Sequence, residues 1–164
     1  MSSPACSRRC GADKQDPRWE REVVAMAERS AIDRLVAQAR VGMDRVLPED
    51  LPAEVAAGAL VVDIRTVDQR RRDGDLPGAL VIDRTVLEWR LDPTSTHHIP
   101  ETAPDRRIVL VCNEGYSSSL AAESLRRLGL RRATDLVGGY QAVLARSRRT
   151  GSSPDPERTR PPLV

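Results

Sequence analysis

The chain has 164 residues, 30% of them charged and 40% hydrophobic, a balance that predicts a folded soluble domain with appendages rather than a disordered chain. No apolar run approaches the roughly 18 residues a membrane-spanning helix needs, which excludes that class. The net charge is only +2, Lys14 is the sole lysine and aromatic residues make up 2%, so neither the charge nor the stacking side chains of a nucleic-acid surface are present.

Residues 1–17 mix Ser, Pro, Gly and charge without a period and are expected to form a disordered N-terminal tail. Arg8 and Arg9 have no apolar stretch behind them, so a secretory signal is not expected and cytoplasmic residence is. Three cysteines in such a chain argue against a disulfide framework. Cys6 and Cys10 lack the second ligand pair of a zinc site and read as exposed thiols on the tail.

From Arg18 to about Val41 the pattern turns helical, with Ile32, Leu35, Val36, Ala39 and Met43 on one face. This amphipathic extension, residues 18–45, is expected to dock on its own domain, with a partner protein as the alternative. Pro48 to Gly58 reads as a short helix, capped by Asp50 or a neighbour and stopped by Gly58. Ala59 to Ile64 is a near-continuous apolar run, as in a parallel strand covered on both faces. Asp63 and Arg65 stand at its C-terminal end, where ligands gather in open parallel sheets. For Asp63 we expect the structural role of capping the following turn, and for Arg65 a place at the mouth of a site.

Val67 to Asp73 is a charged helix or turn ending at Gly74, Leu76-Pro77-Gly78 is turn chemistry, and Ala79 to Ile82 is the next strand. A helical turn from Arg84 to Asp92 carries Trp89, which is expected to be packed. His97 and His98 lie in a proline-bounded loop without co-ligands and read as exposed. Ile108 to Val111 is an apolar strand that ends in Cys112 and the loop Asn113-Glu114-Gly115-Tyr116-Ser117-Ser118. A helix follows, its apolar face carried by Ala121, Leu125 and Leu128, and Gly129 stops it. Ala133 to Val137 is a last strand, Gly138-Gly139 a turn and Tyr140 to Arg146 a closing helix, after which residues 147–164 are expected to form a disordered tail. Alternating strands and helices predict an α/β domain over residues 46–146 with a mainly parallel central sheet flanked by helices, plus the extra N-terminal helix.

A cysteine at a strand end, followed by a glycine-bearing loop and a helix N-terminus, faces a cradle of unpaired N–H groups. Such a cradle favours a thiolate or an anionic persulfide. Gly115 lets the loop curl, and Ser117 and Ser118 can donate hydroxyl hydrogen bonds or cap the helix.

Cys112-Asn-Glu-Gly115-Tyr-Ser-Ser118 resembles the active-site loop of rhodaneses, the thiosulfate:cyanide sulfurtransferase family. Three further landmarks agree in order: Asp63-Ile-Arg65, Gly74-Asp75-Leu-Pro-Gly-Ala79 with Asp75 where the family has histidine, and Gly138-Gly139-Tyr140. The resemblance implies catalysis by Cys112 and sulfur binding by residues 113–118, with no metal or organic cofactor. It implies a small sulfur donor and a thiol acceptor, or a protein persulfide, as partners. Family loops often carry arginine where this chain has Asn113 and Ser117. The loop therefore lacks a positive side chain, and Glu114 adds a negative one that would disfavour a dianionic donor if it faced the mouth. An inactive relative serving as a binding module is the alternative. A cysteine phosphatase would need arginine at the sixth residue beyond the cysteine, where Ser118 stands.

Overall fold

The computed structural model describes residues 30–151. The expectations for residues 1–29, Cys6 and Cys10 included, and for residues 152–164 lie outside the described residues. The chain divides into two compact units between Arg34 and Leu35, and only residues 30–34 of the first are described.

Helix α1 spans Ala31–Ala39 and starts where the Ser30 hydroxyl accepts from the Asp33 amide at 3.2 Å. Of the five residues expected to form one apolar face, Val36 and Ala39 are buried and Met43 packs against the core, whereas Ile32 and Leu35 are exposed. The buried stripe is thus narrower than the periodicity implied. Helix α2 (Leu51–Ala56) begins after Asp50, but the Asp50 side chain makes no capping bond; only its carbonyl accepts, from Glu54.

Four strands form the sheet: β1 (Leu60–Asp63), β2 (Leu80–Val81), β3 (Ile108–Val111) and β4 (Ala133–Asp135). Their order is β2-β1-β3-β4 and every pairing is parallel. Val46 adds an isolated parallel bridge to Leu136 beyond β4. Between β1 and β2 runs α3 (Val67–Asp73), started by a reciprocal capping box between Thr66 and Gln69. A 3₁₀ turn (Arg84–Val86) leads into α4 (Leu87–Leu91), then come α5 (Ser117–Arg127) after β3 and α6 (Gly139–Thr150) after β4. Helix α6 extends four residues past the expected end at Arg146, so residues 147–150 are helical rather than part of a disordered tail.

Parallel strands with helices on both faces must be apolar on both faces, and β3 is buried throughout. Alternation sends Ile108, Leu110 and Cys112 to one side, with α4 residues Leu87 and Leu91 and α5 residues Ala121, Ala122 and Leu125. Val109 and Val111 go to the other, with Leu51, Leu136 and Tyr140. Burying each leucine fully stabilises the fold by about 1.5–3 kcal/mol.

Two packing expectations fail here. Trp89 is 59% exposed, because Leu87 and Leu91 on either side of it in α4 already take the core face. Leu128 is 45% exposed; α5 has ended, the chain turns at Gly129 with φ +97°, and Leu130 fills the buried position instead.

Candidate active site

The site lies at the carboxyl ends of β3 and β4. Cys112 follows the last residue of β3 and is 5% exposed. Two carbonyls just after the strand turn away from it: Cys112 C=O accepts from the Tyr140 amide at 2.9 Å and Asn113 C=O from the Gln141 amide at 3.1 Å. Both donors belong to the first turn of α6, which would otherwise leave its N–H groups unpaired. Peptide planarity then sends the N–H groups of Asn113 and Glu114 to the opposite side. The Gly115 amide completes the curl and donates to Cys112 Sγ at 3.1 Å.

Close backbone approach makes this possible. Gly115 has φ +80°, and a Cβ there would lie 2.8 Å from the Gly138 nitrogen. Gly139 has φ +60°, and a Cβ there would lie 2.5 Å from Cys112 O and 2.6 Å from Gly115 N. The Gly138-Gly139 turn is therefore the floor on which the cysteine loop rests.

Ser118 Oγ sits 3.1 Å from Cys112 Sγ. The N-terminal residue flanking α5 is Tyr116, without a side-chain cap, so Ser118 serves the sulfur and not the helix end. Burial pushes the Cys112 thiol up. The hydroxyls of Ser117 and Ser118 and the amides at Ser118 and Glu114 outweigh it, and the net direction is downward from the usual cysteine value.

Behind the loop lies a cluster with no counterpart in the sequence expectations. Asp135, at the end of β4, is fully buried and accepts from Ser118 Oγ at 3.1 Å and Ser119 Oγ at 2.7 Å. Arg45 grips its carboxylate with Nε at 2.6 Å and Nη2 at 3.1 Å. Arg40 donates from Nη2 to Gly115 O at 2.8 Å and from Nε to Ser119 Oγ at 3.0 Å, and lies 5.5 Å from the centre of the Tyr116 ring. A carboxylate buried inside an apolar strand must find donors, and that is the one sequence signal for Asp135. Nothing local marks Arg40 or Arg45 among so many arginines.

Other expected site residues fall as follows. Asn113 is half-buried and its Oδ1 accepts from Gln141 Nε2 at 3.1 Å. Tyr116 and Ser117 are exposed. Glu114 is exposed, with Asn113 Nδ2 at 3.5 Å, and its charge is felt at Arg72, whose own pKa is raised chiefly by Asp73. Arg65 does not stand at a site mouth. It is 2% exposed, its Nη2 donates to Asp63 Oδ2 at 2.7 Å and to Gly74 O at 2.9 Å, and its guanidinium lies 3.6 Å from the centre of the Tyr140 ring. A side chain at the end of β1 has the sheet's second core beside it, and the short spacing to Asp63 closes the pair inside that core. Asp63 does take the structural role, its Oδ1 accepting from the Arg65 amide at 2.9 Å.

Among known families, the rhodanese-like domain matches residues 47–146. A protein of unknown function from Rhodopseudomonas palustris, described as a possible tyrosine phosphatase, is 28% identical with a TM-score of 0.65, over 76% of this chain and 93% of that one. The human single-domain sulfurtransferase is 25% identical with a TM-score of 0.54, over 62% of this chain and 95% of that one. A thiosulfate sulfurtransferase of Pseudomonas aeruginosa shares the fold at 20% identity and a TM-score of 0.50, over 64% of this chain and 18% of that one. Among curated proteins, none matches the chain. No helix among the described residues is long and apolar enough to cross a membrane.

Proposed function

The chain belongs to the rhodanese-like domain family, and from that premise we propose that it is a sulfurtransferase working through a persulfide on Cys112. The Cys112 thiolate attacks the outer sulfur of thiosulfate; the S–S bond breaks, its electron pair leaves with sulfite, and Cys112-S-S⁻ remains. A thiolate acceptor, or cyanide, then attacks the terminal sulfur, and Cys112 leaves as thiolate. Neither step needs a metal or an organic cofactor. The partners are a small sulfur donor, or a protein persulfide, and a thiol acceptor.

One observation carries this reading: Cys112 Sγ accepts from the Gly115 amide and lies 3.1 Å from the Ser118 hydroxyl, which can donate to the sulfur once it is anionic. The attacking form is deprotonated and its pKa is depressed. Activity should therefore fall as pH drops through the folded pKa and flatten above it, with a midpoint below the usual cysteine value of about 8.5.

Thiosulfate-to-cyanide turnover by the full chain tests the reading, with Cys112→Ser as control. Turnover that vanishes in the folded Cys112→Ser protein supports it; equal turnover in both would overturn it. Without turnover or persulfide formation, the protein is a binding module. Phosphate release from an aryl phosphate would favour the phosphatase description of the Rhodopseudomonas relative. Against that stands Ser118, a neutral residue where bidentate phosphate binding calls for arginine.

A further inference from the structure

Three charged side chains are bonded beneath the cysteine loop, and none belongs to it. Arg40 and Arg45 precede the matched domain, which begins at residue 47, and Asp135 ends β4. Among the described residues Arg40 has hydrogen bonds to Gly115 O and Ser119 Oγ and no carboxylate partner, whereas Arg45 pairs with Asp135 and adds a longer bond, 3.3 Å, to the same Gly115 carbonyl. Two positive charges thus face one negative charge. An anionic sulfur at Cys112 makes the cluster neutral; a neutral thiol leaves it one positive charge in excess.

Ser118 links the cluster to the sulfur. Its hydroxyl has one proton and two acceptors, Cys112 Sγ and Asp135 Oδ2, each at 3.1 Å. With a neutral thiol, S–H donates to Ser118 Oγ and Ser118 donates to Asp135. With an anionic sulfur, Ser118 turns its proton to Sγ. Asp135 then keeps both Arg45 donors and Ser119, so no buried carboxylate is stranded.

Resting on the reading of Cys112 as the sulfur carrier, we propose that Arg40 and Asp135 are positioning residues of opposite sign: Arg40 supplies the counter-charge for anionic sulfur, and Asp135, fixed by Arg45, competes with that sulfur for the Ser118 proton. The other charges near the loop do not replace them. Asp63 and Arg65 at the end of β1 are paired with each other, as are Arg72 and Asp73 in the last turn of α3, and Glu114 on the loop itself is exposed.

The test is the pH dependence of iodoacetamide alkylation at Cys112, read on its own peptide by mass spectrometry in the full chain. Arg40→Ala should move the midpoint up by about half a unit or more, as removal of a nearby positive charge disfavours the anionic sulfur. Arg40→Lys should recover most of that shift. Asp135→Asn should move the midpoint down by a similar amount. A merely structural role predicts a looser loop and an upward shift in both. Two upward shifts, or none, would overturn the proposal. Should Asp135→Asn fail to fold, Arg40→Gln and Arg40→Lys decide: the neutral variant should raise the midpoint and the charged one should not, and an unmoved midpoint in Arg40→Gln or an equal rise in Arg40→Lys overturns it. Polysulfide loading of the wild-type chain separates the two claims. Shifts of the expected sign without any loading would sink the sulfur-carrier reading alone; loading without the shifts would sink the charge assignment alone.

Discussion

Among the described residues, two aspartate–arginine pairs with buried carboxylates sit at strand ends, and they do different things. Asp63–Arg65 at the end of β1 is closed on itself: Nε and Nη2 bond Asp63, Nη2 also bonds the Gly74 carbonyl, and the guanidinium lies against the face of Tyr140, while its buried Nη1 has no hydrogen-bond partner among the described residues. Asp135–Arg45 at the end of β4 is open on one side, passing through Ser118 to Cys112 and through Ser119 and Gly115 to Arg40. The chemistry of the two pairs is the same. What differs is whether the carboxylate has acceptor capacity left for a hydroxyl, that of Ser118, that also touches the sulfur. A buried ion pair is therefore a structural brace or part of a site according to its neighbours, not its own geometry.

Breaking the sealed pair should give the largest effect on stability. Arg65→Ala leaves the Asp63 carboxylate buried and unpaired, so denaturant titration should show a loss of about 3–5 kcal/mol. Under conditions where this variant is folded, Cys112 should still load sulfur. A folded Arg65→Ala chain that cannot load would return Arg65 to the site.

Next is the floor of the loop. Gly139→Ala forces a Cβ against Cys112 O and Gly115 N at a positive φ, and the cost should be about 1–3 kcal/mol or more. Unlike Arg65→Ala, it should also abolish the thiolate cradle, visible as an alkylation midpoint shifted toward that of free cysteine. A wild-type midpoint in Gly139→Ala would mean the loop does not depend on this contact.

On the open side, Ser118→Ala removes a hydroxyl from both sulfur and Asp135 while Arg45 and Ser119 still hold the carboxylate. The fold should survive, and the Cys112 midpoint should rise by about one unit, equivalent to roughly 1.4 kcal/mol. An unchanged midpoint would detach the cluster from the sulfur.

The smallest effect belongs to Glu114, which is exposed and screened by solvent. Glu114→Gln should change the thiosulfate KM by less than about two-fold at physiological salt, rising as the Debye length grows at low salt. A large effect at both salts would place its carboxylate at the mouth.

The same comparison explains what the sequence made legible. Asp63-x-Arg65 spans three residues and is visible as a motif, although nothing local announces that Arg65 packs inward against Tyr140. The cysteine loop, its glycine and the Gly138-Gly139 turn are likewise local patterns, and the parallel sheet follows from apolar strands alternating with helices. Arg45 and Asp135 are separated by 90 residues, and Arg40 and Gly115 by 75, so no spacing announces them. Trp89 and Leu128 failed for a different reason: helix ends decide which residue of a short amphipathic segment reaches the core, and those ends are set by neighbours already filling it.

The mass of the Cys112 peptide after incubation with thiosulfate, and separately with an uncharged polysulfide, tests the central claim most directly. Sulfur transfer predicts a gain of one sulfur atom at Cys112, lost on adding a thiol acceptor and absent in Cys112→Ser. A folded protein whose Cys112 stays at the mass of a plain thiol with both donors would contradict it.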